Sequence, residues 1–166
     1  MPEKETLERA RVDAREGKSP STQAGEFVRE EMHHIREGKH GARSTKQAIA
    51  IGLSKARRAG VRLRAPKKGT VSARTRRQAA RDEAKGRAAK KRKPARRRSV
   101  AVKRALRREG SASASSRALA KQARSSARRR SASQRSAAAR KAVRTKGAAG
   151  RSAAARKAAR TRARRG

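Results

Sequence analysis

Apolar positions in the first 60 residues recur with the period of an α-helix, and this pattern predicts three helices. The first spans residues 2–17, the second 21–38 and the third 44–60. A proline near the start of the first, and a glycine at the end of each, are typical helix boundaries. N-capping side chains are predicted for the second and third helices, at Ser21 or Thr22 and at Ser44.

The second and third predicted helices each carry one apolar face. These faces comprise Phe27, Val28, Met32 and Ile35 on the second helix, and Ile49, Gly52, Leu53 and Ala56 on the third. Because glycine has no side chain, Gly52 would let the two helices approach closely. We therefore expect these helices to close a marginally stable core of roughly 60 residues. Ile51 lies off this face and either contacts the first helix or leaves an apolar spot for a partner.

Charge divides the chain near Gly60. Lys and Arg total 52 against 12 Asp and Glu, which gives a formal net charge of +40. Residues 61–166 contain 39 of the basic residues and only three of the acidic ones. Such a composition buries too little apolar surface to offset the entropy of ordering the whole chain. The predicted fold class is therefore all-α, with a small three-helix N-terminal head (1–60), a linker (61–70) and a long basic tail (71–166) that is largely disordered or transiently helical.

The end of the tail is a direct repeat. Residues 135–150 and 151–166 are identical at 11 of 16 positions, and each copy is rich in alanine. In both copies an Arg-Lys pair is followed by Arg at helical spacing, so the three charges share one face. We expect this repeat to become helical when phosphates cancel the repulsion between its charges.

The excess of basic residues predicts a polyanionic partner. The tail has no aromatic side chain on which bases could stack, which favours contact with the backbone of duplex DNA over single strands. The linker and tail residues expected to bind DNA are Lys67, Lys68, Arg74, Arg76, Arg77, Lys90, Lys91, Arg92, Lys93, Arg96, Arg97, Arg98, Arg128, Arg129, Arg130, Arg140, Lys141, Arg144, Arg156, Lys157 and Arg160.

The second helix, a short turn and the third helix have the spacing of a helix-turn-helix, although a plain helical hairpin has the same pattern. The head residues with groups suited to phosphates or base edges are Arg43, Ser44, Thr45, Lys46, Gln47, Lys55, Arg57 and Arg58.

The sequence predicts no enzyme, cofactor or metal site. There is no cysteine, no nucleotide-binding glycine motif and no nucleophile motif. Adjacent His33 and His34 point to different helix faces, and the sequence shows no further ligand that would converge with one of them and His40. No apolar run is long enough for a membrane span or signal peptide, so we expect a soluble, cytoplasmic protein without membrane contacts.

The stretch GKHGARSTKQAIAIGLSKARRAG resembles the signature of a family of small, uncharacterised bacterial proteins, a domain of unknown function. The resemblance covers residues 1 to about 64. Many members carry an acidic residue where this chain has Lys55, so an ion pair at that position does not carry over. The resemblance implies a bacterial origin and, through association with basic tails, DNA binding. In composition, the tail is similar to the tails of linker histones and histone-like bacterial proteins.

Together these features predict a histone-like, nucleoid-associated protein that binds duplex DNA without sequence preference and compacts or protects it. The head would supply dimerisation, positioning or a partner surface, and a homodimer through the head is possible. Two alternatives remain open: a basic protein that coats structured RNA, as ribosome-associated proteins do, and a head that binds another protein while the tail anchors it to a polyanion.

Overall fold

A computed structural model describes residues 2–88 and 95–164, with the backbone alone at 145 and 146. These residues form helices joined by turns, and no β-strand occurs among them. The elements are α1 (Lys4–Arg15), α2 (Pro20–Arg36), α3 (Thr45–Arg58), α4 (Ala73–Arg87), α5 (Arg96–Arg107), a 3₁₀ turn (Ala112–Ala114), α6 (Ser116–Arg128) and α7 (Ala132–Ala163).

The prediction of a three-helix head followed by a largely disordered or transiently helical tail is wrong, because α4 to α7 continue the helical structure to Ala163. The apolar surface that these residues can bury is not the only source of helix stability. Local helix propensity is high for Ala, Arg and Lys. Capping also contributes: Ser72 accepts a hydrogen bond from the Thr75 amide, and Ser131 forms a capping box with Gln134 at the start of α7.

Three helices do lie in the first 60 residues, each with boundaries one or two residues from the predicted ones. Ser44 is the N-cap of α3, and its side chain accepts a hydrogen bond from the Gln47 amide at 3.2 Å. The N-cap of α2 is Ser19, not Ser21 or Thr22, because Pro20 takes the first helical position that proline favours. Gly38 follows α2 with φ +72°, a conformation that turns the chain sharply and disfavours other residues.

The α2–α3 contact is as close as the glycine predicts. A Cβ atom at Gly52 would lie 2.7 Å from the Cα of Val28, so only glycine fits here without movement. Phe27 and Ile35 are completely buried. Ile51 is half-buried and lies in neither of the apolar clusters that the described residues form.

Two apolar clusters form the core, and both include residues from beyond the predicted head. One holds Met32, Ile35, Ala42, Ala48 and Ala114, with Val28, Ile49 and Leu119 packed against it. The other holds Ala10, Ala24, Phe27 and Ala56, with Leu7, Leu53, Ala59, Val61 and Leu63 packed against it. The core therefore draws on the predicted linker and on the predicted tail.

Backbone hydrogen bonds join the end of α5 and the segment after it to the turn between α2 and α3. The amide of Gly41 donates to the carbonyl of Leu106 at 2.9 Å, and the amide of Ala42 donates to that of Gly110 at 3.3 Å. The hydroxyl of Thr45 donates to the carbonyl of Ser113 at 2.7 Å. The chain divides into compact units at Met1–Gln122 and Ala123–Gly166, so the first three helices share a unit with α4 and α5.

The second unit contains the end of α6 and all of α7. At Gly147 the backbone of α7 leaves the helical region, with φ +62° and ψ −178°, so α7 is two helical runs on either side of this residue. The repeat is therefore broken inside its first copy and not at the junction of the copies. In the described part of the chain, no helix combines the length and apolar character that spanning a bilayer would need.

Asp82 carries the polar contact between α4 and α3. Its carboxylate is almost fully buried and accepts hydrogen bonds from Ser54 and Arg58, both at 2.7 Å, and from Gln78 at 3.1 Å. Burial acts to raise the pKa of Asp82, but these hydrogen bonds outweigh burial and hold the pKa below its ordinary value.

Asp82→Asn is expected to lower the free energy of unfolding at pH 7 by about 1–2 kcal/mol, because it removes a charged acceptor with three donors. Since the folded pKa is lowered, this stabilisation is present above pH ~4 and is lost as the pH falls through the folded pKa. Urea unfolding between pH 3 and 7 measures both effects. Glu83→Gln is the matched control, because Glu83 pairs only with the exposed Arg87 side chain among the described residues, and a loss below ~0.5 kcal/mol is expected. Equal losses for both variants would contradict the role of Asp82.

Candidate nucleic-acid interface

The surface of α7 is basic and exposed throughout its described length. None of its described side chains is buried, and no Asp or Glu occurs after Glu109 in the sequence. Most of the remaining positions are Ala and Ser, whose side chains are short. A helix without an apolar face gains nothing from its own packing, so its surface is available to a charged partner.

The repeated charges fall on one side of each helical run. Arg140, Lys141 and Arg144 lie before the break at Gly147, and Arg156, Lys157 and Arg160 lie after it. All six side chains are exposed. Each run of about 15 residues is ~22 Å long, and an α-helix of 10–12 Å diameter matches the ~12 Å width of the major groove of B-DNA.

The basic residues of α4 and α5 that are predicted to contact DNA are also exposed. They lie at the N-terminus of each helix, which is the positive end of the helix dipole. The first turn of α5 contains Arg96, Arg97 and Arg98, with no acidic residue there. The start of α4 likewise carries Arg74, Arg76 and Arg77 without an acidic residue in its first turn. Cations at a helix N-terminus are unfavourable, and a bound anion would relieve this repulsion.

The remaining predicted tail contacts lie in turns and at helix ends. Lys67 and Lys68 are exposed before α4, Arg128 is the last residue of α6, and Arg129 and Arg130 follow it in exposed positions. Four further predicted residues, Lys90, Lys91, Arg92 and Lys93, lie outside the described residues.

The start of α3 is poorly placed to enter a groove. Thr45 is buried and bonded to Ser113, and the side chains of Ser44 and Gln47 are used in the helix cap, where Gln47 accepts from the Arg43 amide at 2.9 Å. Of this group, Arg43, Ser44 and Lys46 are exposed, and only Arg43 and Lys46 carry long side chains. The contact of Thr45 with Ser113 thus favours the helical hairpin over a DNA-reading helix-turn-helix.

The basic groups at the end of α3 are held by contacts within the first unit. Arg57 is buried and donates to the carbonyl of Leu63 at 3.1 Å, and Arg58 pairs with Asp82. Lys55 lies 3.0 Å from Glu30 and 2.7 Å from Glu31. Burial acts to lower the pKa of Lys55, but the two carboxylates outweigh it and the pKa is raised. These three side chains therefore stabilise the fold.

The structure brings together one group that sequence reasoning left apart. Among the described residues, Glu31, His34 and His40 have the geometry of a possible metal site, with one ligand atom from each residue within 4.8 Å of the others. His33 is exposed and lies outside this group. The Glu31 and His34 spacing of three residues on a helix is the signal that could have found it.

The chain is thus a basic all-helical protein in which the region around α2 and α3 forms the centre of the first unit. Residues 17–69 match the model of a family described as a family of unknown function (DUF6496). This match agrees with the resemblance to an uncharacterised domain and covers α2, α3 and the segment after them, but not the basic helices α4 to α7. No curated protein and no solved structure matches the chain.

Proposed function

We propose that this protein binds duplex DNA without sequence preference and compacts or protects it as a histone-like, nucleoid-associated protein. One observation carries the proposal: the sequence of α7 contains ten basic residues and no acidic one, and none of the described side chains of this helix is buried. Such a helix has no packing role of its own. Phosphate neutralisation with release of counterions supplies the free energy of this kind of binding.

Duplex DNA is favoured as the polyanion because the basic surface can offer charge and little else. Arg and Lys contact phosphates whatever the base sequence, and residues 61–166 contain no aromatic side chain on which the bases of a single strand could stack. The chain's one aromatic residue among Phe, Tyr and Trp is Phe27, which is completely buried. Binding is therefore expected to depend steeply on salt and weakly on sequence.

The test is a salt titration of full-length protein on an unrelated DNA duplex. If about 15 phosphates are contacted, the slope of log K against log salt concentration is near −13. Replacing Arg140, Arg144, Arg156 and Arg160 with Gln is expected to make the slope shallower by about 0.9 for each lost contact, or ~3.6 in all. Gln has nearly the helix propensity of Arg, so the helical circular dichroism should be retained.

The matched control replaces the same four residues with Lys. Because contact with phosphates needs only the charge here, this variant should keep the slope of the unaltered protein within about one unit. An unchanged slope in the Gln variant would contradict a role for α7. Competition with structured RNA separates the two nucleic acids, and RNA that displaces the duplex at equal phosphate concentration would replace DNA as the partner.

A further inference from the structure

The polar group of buried Glu31 and partly buried His34 and His40 lies where α2 meets the turn that follows it. Glu31 and His34 are three residues apart and share one face of α2, and Gly38 reverses the chain so that His40 returns to that face. The Nε2 atom of His40 lies 3.3 Å from Oε1 of Glu31, and the two imidazole rings meet edge to face with centroids 6.0 Å apart.

Both histidines have one ring nitrogen engaged by an oxygen. Nδ1 of His40 lies 3.2 Å from the carbonyl oxygen of Gly41, to which it can only donate, so in the neutral ring the lone pair is on Nε2, the atom that faces Glu31. Nε2 of His34 lies 2.8 Å from a carboxylate oxygen of Glu3, which likewise leaves Nδ1 with the lone pair. Oxygen partners that fix ring orientation in this way are characteristic of metal-ligating histidines.

Glu31 is the second sign of a ligand. Its side chain is completely buried, and neither carboxylate oxygen makes a hydrogen bond of normal geometry. Lys55 lies 2.7 Å from Oε2, whereas Oε1 faces only His40 among its described ion-pair partners. A buried carboxylate oxygen without a hydrogen-bond donor costs free energy, and a cation at Oε1 would remove that cost.

The local charge also suits a cation, although the chain as a whole is strongly basic. Glu3, Glu30 and Glu31 gather around the two histidines, and the cations in contact with them are Lys39 and Lys55. Lys39 is shared with Glu37 at 2.9 Å. The carboxylates therefore outnumber the cations at this point of the molecule.

We propose that Glu31 Oε1, His34 Nδ1 and His40 Nε2 bind a divalent zinc ion, with water as the fourth ligand. Two imidazoles and one carboxylate are ligands that Zn²⁺ accepts, at bond lengths of about 2.0–2.1 Å. In a tetrahedral site with such bonds the ligand atoms are ~3.3 Å apart, which the His40–Glu31 distance already meets. The bound ion would stabilise the turn after α2. The residues that follow His40, Gly41 and Ala42, donate backbone hydrogen bonds to the end of α5 and to the segment after it.

The test uses full-length, chelator-treated protein without DNA, and Zn²⁺ titrated against a competing chromophoric chelator. We expect one Zn²⁺ per chain with a Kd below about 10 μM. His34→Ala and His40→Ala should each weaken binding at least ~10-fold, because each removes a ligand. His33→Ala is the matched control and should bind within about twofold of the unaltered protein, since it removes an exposed imidazole from the same helix. Millimolar Mg²⁺ should not compete, because it prefers oxygen ligands.

A thermal unfolding series gives the second readout. A Zn²⁺ concentration that saturates the unaltered protein should raise its Tm and that of His33→Ala by more than that of His40→Ala, because the stabilisation depends on the ratio of the ligand concentration to the Kd. Glu31→Gln, which keeps the shape of the side chain, tests the third ligand if an alanine variant fails to fold. The proposal is overturned if no stoichiometric binding occurs below ~10 μM, or if His33→Ala loses as much affinity as His40→Ala.

Discussion

Phe27→Ala is expected to lower the free energy of unfolding of this protein by about 3–5 kcal/mol. Phe27 is completely buried in the cluster with Ala10, Ala24 and Ala56. Its buried neighbours are alanines, whose short side chains cannot extend into the space that the ring would leave. The loss therefore includes both the transfer of the ring and an unfilled cavity. Urea unfolding of the full chain, followed by circular dichroism, measures it.

Val12→Ala provides the control for this variant. Val12 is an apolar residue on α1 with 43% of its surface exposed, and alanine has the higher helix propensity. A change within about 0.5 kcal/mol is therefore expected. A loss below ~1 kcal/mol for Phe27→Ala would mean that the ring does not fill the core between α1, α2 and α3.

Gly86→Ala is expected to lower the free energy of unfolding by about 2–3 kcal/mol, although alanine is the better helix former. A Cβ atom at Gly86 would lie 1.9 Å from the carbonyl oxygen of Arg57, and backbone cannot move aside as a side chain can. α4 would have to withdraw from α3. That movement would also strain the buried contacts of Asp82 with Ser54 and Arg58.

Gly25→Ala makes the same chemical change within α2, where a Cβ atom would meet nothing within 4 Å. This variant should gain about 0.5–1 kcal/mol from helix propensity. The two substitutions are thus expected to differ in sign, and urea unfolding of both variants under one condition shows it. If Gly86→Ala also stabilises the protein, α4 does not pack on α3 as the structure has it.

The sequence alone was sufficient to predict the helices of the first 60 residues. Helical periodicity placed α2 and α3, and Ser44 indicated where α3 begins. Gly52 on the apolar face of α3 predicted the close helix contact with Val28. These features can be predicted from sequence because they depend on residues within one or two helical turns of each other. The only further rule needed is that apolar helix faces become buried.

The second half of the chain could not be predicted in this way, because its docking depends on backbone groups. The carbonyls of Leu106, Gly110 and Ser113 accept hydrogen bonds from the α2–α3 turn and from Thr45. Any residue type carries a carbonyl group, so these contacts leave no pattern in composition. The number of apolar residues therefore does not indicate that the basic region up to Gln122 belongs to the first compact unit.

For the candidate sites the division is similar. The basic residues of α7 were predicted from composition, since charge requires no partner to be recognised. Lys55, Arg57 and Arg58 were equally basic in sequence, but the structure commits them to carboxylates or to a backbone carbonyl. Which charges remain available to DNA therefore depends on packing.

The sequence by itself determined the first three helices, the overall positive charge and the charge-rich repeat, because periodicity, net charge and repetition are properties of the chain in order. Only the tertiary structure decided that α4 packs on α3, that the 3₁₀ turn after α5 packs on α2 and α3, and that Glu31 and His34 meet His40. The positive φ of Gly38 is what brings His40 back to α2. Contacts between residues distant in sequence depend on where the backbone turns, and local patterns do not specify that geometry.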